Sequence, residues 1–158
     1  SFTVGESMAH IYSVLGQKIQ NDRENWYMID SSFITTLPDT WGIGEKFLML
    51  PINKWDNDYQ RVVLGGITCD SHDYYDSEEH INEVFLPKTD GDKEPLYVGF
   101  FHTGAYQDQI SGYGGIKHCL IPSPKHVIVG YDKNGKLTDW VYAKQQTAQS
   151  MLKILGYK

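Results

Sequence analysis

Apolar residues near the start of the chain recur at spacings of three and four. Met8, Ile11, Leu15 and Ile19 keep this rhythm, with Glu6 in a first turn and Asn21-Asp22 as a polar stop. The pattern predicts an amphipathic helix. Strand signals follow. "NWYMIDSSF" alternates weakly, and "RVVLGGITC" is an almost continuous apolar run that predicts a strand buried on both faces. "EVFLP" and "LYVGFF" flank a polar loop, Lys88 to Glu94, that carries the turn signal Asp90-Gly91. "KHVIVGY" and "KLTDWVY" are joined by "DKNG", where Asn134-Gly135 suits positive backbone dihedrals and so a hairpin. The tail "KQQTAQSMLKILG" predicts a terminal helix with Ala143, Thr147, Met151 and Ile154 on one face and Gly156 as its stop. Residues 1–158 thus predict a single mainly β domain, a sandwich or barrel of about seven strands with a helix at each end.

Composition narrows the classes. The chain has 158 residues, enough for a core, and no apolar stretch approaches the roughly 18 residues of a membrane-spanning helix. Fourteen basic against twenty acidic residues give −6, which argues against nucleic acid or an anionic membrane as partner and suits a cationic ligand. Two cysteines, Cys69 and Cys119, are too few for a disulfide framework; they could pair with each other, but reduced thiols in a cytoplasmic protein are the better expectation. The 13% aromatic content favours strands and interfaces. "SFTVGES" opens without an initiator Met or a polar lead-in, and the chain is expected to begin in the middle of a larger fold.

Several stretches invite chemical readings. "DKNGK" has its Gly fourth rather than sixth from the Asp, so a hairpin turn explains it better than a calcium loop. His118-Cys119, and Cys69 with His72, are isolated pairs without the repeated spacing of a zinc site. "TGAYQDQISGYGG", from Thr103 to Gly115, is rich in small residues that let a backbone approach a ligand such as a phosphate, though most such loops only turn.

"TCDSHD" is the most specific. A strand end needs turn formers, not a thiol flanked by carboxylates. A cysteine with a pKa near the usual value of about 8.5 is mostly protonated at neutral pH and can donate a proton. The neighbouring carboxylate disfavours the thiolate, which suits an acid better than a nucleophile. An ionised Asp70 would partner an ammonium or guanidinium. The bland alternative is a small buried cysteine with solvated acids in a turn.

Taken together, "GITCDSHD" and the later "GFFHTGAYQ" resemble the C-terminal domain of the fold-type III pyridoxal-phosphate decarboxylases, whose members carry a Cys-Asp-x-x-Asp motif and then a Gly-Ala-Tyr motif. "SSFITTLPDTWGI" and "HCLIPSPKHVIV" are most similar to the biosynthetic arginine decarboxylase branch. The resemblance runs from about Asp30 to Val129. It implies a β-sandwich or Greek-key barrel of the alanine racemase C-terminal type, working with an N-terminal α/β barrel that holds the cofactor on a lysine. It also implies a homodimer whose active sites form between subunits. Cys69 would then be the catalytic proton donor and Asp70 the contact for the substrate's distal cation, both reaching the partner's cofactor. Asp73 would be a second substrate-binding carboxylate, supporting Asp70 or pairing with a basic residue across the dimer. Tyr106 would bind the phosphate of its own subunit's pyridoxal phosphate, with Gly104 allowing the approach. The implied substrate is a small cationic amino acid, arginine, converted to agmatine and CO2 in polyamine biosynthesis. No barrel and no cofactor lysine are recognisable in the chain, so the piece alone is expected to be inactive and to expose an apolar interface.

Other readings remain open. The same domain serves decarboxylases of ornithine, lysine, diaminopimelate and carboxynorspermidine. From a different class, an aromatic-rich β module would bind sugar or protein through Trp26, Trp41, Trp55 and Trp140. The decarboxylase reading expects Cys69, Asp70 and Tyr106 near an accessible rim. The binding module expects an aromatic platform elsewhere.

Overall fold

The computed structural model describes residues 3–76, 83–89, 93–107 and 117–158. They form two compact units, Ser1–Ile110 and Ser111–Lys158. Strands dominate both, as expected, and the principal sheet is a curled half-barrel.

The first unit is built on β1 (Ala9–Gln20), which replaces the helix that its spacing suggested. Spacings of four are also even, so a strand satisfies them equally well. Ile11, Leu15 and Ile19 are 53%, 65% and 69% exposed, whereas Tyr12 and Val14 face the core. Among the described residues, the helical content before β1 is the 3-10 turn Gly5–Ser7.

β1 changes partner along its length. Its first half pairs antiparallel with β8 (Tyr97–Phe101) from Ala9↔Phe101 to Ser13↔Tyr97. Its second half pairs with β2 (Glu24–Ile29), after a bulge between Val14 and Gly16. A bulge increases local twist, and here it lies where the sheet passes from one partner to the next. With β3 (Leu48–Pro51), β5 (Val63–Gly65) and β6 (Tyr74–Tyr75), the six-stranded order is β3-β8-β1-β2-β5-β6. β2 and β5 run parallel, so the chain between them must cross over. Within that crossover lie α1 (Phe33–Thr36) and α2 (Pro38–Ile43). Pro38 stands at the first positions of α2, and Gly44 closes it at φ 67°, the left-handed conformation glycine favours.

The run "RVVLGGITC" is not one strand. β4 (Tyr59–Arg61) pairs with β7 (Phe85–Pro87), β5 pairs with β2 and β6, and the break falls at Val62, whose N–H donates to the Val84 carbonyl. The core is aromatic. Phe33 of α1 sits against Tyr12, Tyr75 and Phe100 at centroid distances of 5.9, 5.7 and 5.7 Å, and Tyr75 meets Phe100 edge-on at 4.9 Å. The Tyr12 hydroxyl lies 2.6 Å from Thr36 Oγ1, which itself donates to the Ser32 carbonyl at 2.7 Å. These contacts fix α1 to the sheet.

The second unit holds the expected hairpin, β9 (His126–Tyr131) with β10 (Leu137–Ala143). Only Gly135 of the Asn134-Gly135 pair takes a positive φ, because Asp132 closes the turn instead: its carboxylate accepts the N–H groups of Asn134 and Lys136. The terminal helix α3 (Ala148–Ile154) is shorter than its pattern suggested. Thr147 caps it by accepting the Ser150 N–H at 3.1 Å, and Ala143 belongs to β10.

Candidate functional site

The loop from Gly66 to Asp73 joins β5 to the edge strand β6 and carries Cys69 and Asp70. Asp73 holds it. This carboxylate is 6% exposed and accepts three hydrogen bonds: Phe33 N–H to Oδ1 at 2.8 Å, Thr68 N–H to Oδ2 at 3.0 Å and Thr68 Oγ1–H to Oδ2 at 2.5 Å. Backbone bonds close the loop from both sides, Gly66 N–H to Asp73 O and Ile67 N–H to Ser31 O. A Cβ at Gly66 would overlap the Asp73 carboxylate, which explains the glycine there. Both oxygens of Asp73 thus serve the fold beneath the loop.

Above this anchor the Cys69 thiol is exposed. Asp70 is half-buried, and its Oδ1 accepts the His72 N–H at 2.8 Å with the His72 ring Nδ1 at 3.5 Å. The carboxylate is therefore oriented by its own turn while remaining at the surface, a geometry suited to a cation arriving from outside.

The second cluster is the loop after β8. Thr103 N–H donates to Met8 O and Gly104 N–H to Gly5 O, so the loop lies on the 3-10 turn at the start of the chain. A Cβ on Gly104 would collide with the Val4 carbonyl and Ser7 Oγ. The close approach that Gly104 permits in this structure is that of Val4–Ser7. His102 and Tyr106 both have left-handed backbones, at φ 66° and 65°, a conformation that costs an L-residue roughly 1–2 kcal/mol. Two such residues within one short loop mark a segment held under strain, and strain of this kind gathers at functional sites. The Tyr106 side chain is 64% exposed. An accessible phenol on a constrained loop fits a phosphate oxygen as hydrogen-bond partner.

Both clusters rest on the crossover helices. Asp73 receives the Phe33 N–H at the start of α1. Gln107, directly after Tyr106, is bonded to Asp39 in the first turn of α2. The candidate residues thus form two groups, Cys69 with Asp70 and Asp73, and Gly104 with Tyr106, tied to one helical pair. Sequence reasoning missed Asp39 and Gln107. The signals available were Pro38-Asp39 as a helix start and Gly44 as its stop. The Tyr113–Gly115 part of the small-residue loop lies outside the described residues.

The four tryptophans sit on different segments. Trp26 of β2 lies beneath Lys18 Nζ at 5.3 Å, while the Trp41 and Trp55 indoles donate to the Ile34 and Pro51 carbonyls. Trp140 is in β10. Among the described residues no three His, Cys, Asp or Glu cluster to hold a metal, and no helix is long and apolar enough to cross a membrane.

No protein-family model matches the chain. It is 35% identical over 134 residues to a biosynthetic arginine decarboxylase of Marinobacter nauticus, and 34% identical over 140 residues to that of Proteus mirabilis. These alignments cover 82% and 85% of the chain but 20% and 21% of the relatives, so the chain spans about a fifth of their length. Among solved structures, the biosynthetic arginine decarboxylase of Campylobacter jejuni superimposes with a TM-score of 0.68 at 28% identity, over 85% of this chain and 22% of that one. A diaminopimelate decarboxylase of Helicobacter pylori gives 0.69 at 15% identity over 97% of this chain and 33% of that one, a likeness of fold alone. The chain is homologous to a segment of the biosynthetic arginine decarboxylases and has the C-terminal β-domain fold of the fold-type III pyridoxal-phosphate decarboxylases.

Proposed function

We propose that this chain is the C-terminal β domain of a longer cytoplasmic arginine decarboxylase that joins an N-terminal barrel and a second subunit to complete its active sites. Pyridoxal phosphate, held mainly by the barrel, would supply the electron sink for the charge left when CO2 departs. The remaining tasks fall to side chains of this domain. Cys69 delivers a proton to the substrate's α carbon, a task that needs an accessible acid at the end of a fixed loop. Asp70 receives the guanidinium, for which a carboxylate offers two parallel acceptors. Asp73 keeps both in place through Phe33 and Thr68. Tyr106 would hold the cofactor's phosphate by a hydrogen bond from its phenol O–H.

The observation that carries this reading is the exposed Cys69 thiol, lifted to the surface by a loop whose carboxylate anchor is itself buried. A cysteine serving only to fill the core would lie inside. The experiment is decarboxylation by the longer protein with arginine, ornithine, lysine and diaminopimelate offered side by side. Arginine should be consumed fastest, and Asp70→Asn should raise its KM. A preference for diaminopimelate, or a KM indifferent to Asp70, would contradict the assignment.

A further inference from the structure

We infer that Gln107 and Asp39 form a positioning pair that holds Tyr106 in its presenting conformation, an inference that rests on the reading of Tyr106 as a phosphate contact. The Gln107 N–H donates to Ala105 O at 2.9 Å, which makes Tyr106, at φ 65°, the central residue of a three-residue turn. A turn of this size with a positive central φ is the rare and strained kind. Left alone it would relax, and the ring would swing with it.

The Gln107 side chain opposes that relaxation. It is 2% exposed, and every polar atom of its amide is engaged. Nε2 donates to Ala105 O at 2.6 Å and to Asp39 Oδ2 at 2.7 Å, while Oε1 accepts the Asp39 N–H at 3.3 Å. The Ala105 carbonyl is therefore gripped twice by the same residue, once by backbone and once by side chain. Asp39, in the first turn of α2, fixes that amide to a regular element. A buried amide with such partners is costly to misplace, because any rotation leaves a donor or acceptor unsatisfied. The pair thus converts a strained turn into a rigid mount for an exposed phenol, and preorganisation of this kind raises affinity without adding a contact.

The test is the dissociation constant of pyridoxal phosphate for the full-length protein, read by quenching of protein fluorescence without substrate. Tyr106→Phe should weaken binding about tenfold, the loss expected for one charge-assisted hydrogen bond. Gln107→Ala and Asp39→Ala should each weaken it about fivefold while Tyr106 is present, and less than twofold in the Tyr106→Phe background. Asp39→Asn, which keeps an acceptor for the Gln107 amide, should bind within about twofold of the parent. Equal weakening by Gln107→Ala in both backgrounds would assign it to general structure and overturn the inference. So would parent-like binding by Gln107→Ala alongside weak binding by Tyr106→Phe. Parent-like binding by Tyr106→Phe would overturn the phosphate-contact reading together with the inference. If Gln107→Ala does not fold, the Asp39→Ala and Asp39→Asn pair gives the same decision.

Discussion

The backbone N–H of Phe33 donates to Asp73 Oδ1 at 2.8 Å, tying the first residue of α1 to the loop that carries Cys69 and Asp70. The same Phe33 packs its ring between Tyr12, Tyr75 and Phe100. One residue therefore couples the aromatic core to the candidate site through its backbone and its side chain at once.

Removing the carboxylate should be felt by the fold. Asp73→Ala leaves the Phe33 and Thr68 N–H groups without their acceptor in a buried setting, at a cost of about 2–4 kcal/mol. Gly66→Ala should destabilise in the same range, since its Cβ would displace that carboxylate. Urea unfolding of the parent and both variants measures this. Parent-like midpoints would show that the loop does not depend on Asp73.

Tyr12→Phe removes a buried hydroxyl 2.6 Å from Thr36 Oγ1 and should cost about 1 kcal/mol, because Thr36 retains its bond to Ser32 O. Thermal melting reads the difference. A loss several times larger would mean that the hydroxyl organises more than α1.

The outer side of β1 and β3 presents Ile11, Leu48 and Leu50 to solvent, with Ile11 and Leu50 both level with Gly99 on β8. Apolar surface of this extent favours association. The chain by itself should sediment as associated species at high concentration. A monodisperse monomer throughout would contradict the interface reading.

Much of this was legible beforehand, and the failures have physical causes. β2, β8 and the β9–β10 hairpin are readable from alternation or apolar runs bounded by turn residues. β1 reads as a helix because a spacing of four fits a helix turn and a strand alike, and because Ile11, Leu15 and Ile19 are exposed on a strand whose alternation shifts at the bulge between Val14 and Gly16. The break at Val62 left no local signal, since it reflects a change of pairing partner. At the site, the thiol and carboxylates announced themselves by their chemistry. Long-range pairs such as Asp73 with the Phe33 N–H and Gln107 with Asp39 did not, because groups forty or more positions apart meet only through the fold.

The central claim is that Cys69 is a proton donor rather than a structural thiol. An exposed cysteine contributes little to packing, so Cys69→Ala should leave stability within about 0.5 kcal/mol of the parent. The deciding measurement is agmatine formation from arginine by the full-length Cys69→Ala protein, with cofactor absorbance followed in the same sample. Agmatine should fall at least tenfold, while the cofactor absorbance before arginine is added matches the parent's; any proton that reaches the wrong carbon then bleaches that absorbance only as arginine is consumed. Undiminished agmatine, or a cofactor absorbance already lost before arginine is added, would contradict the claim.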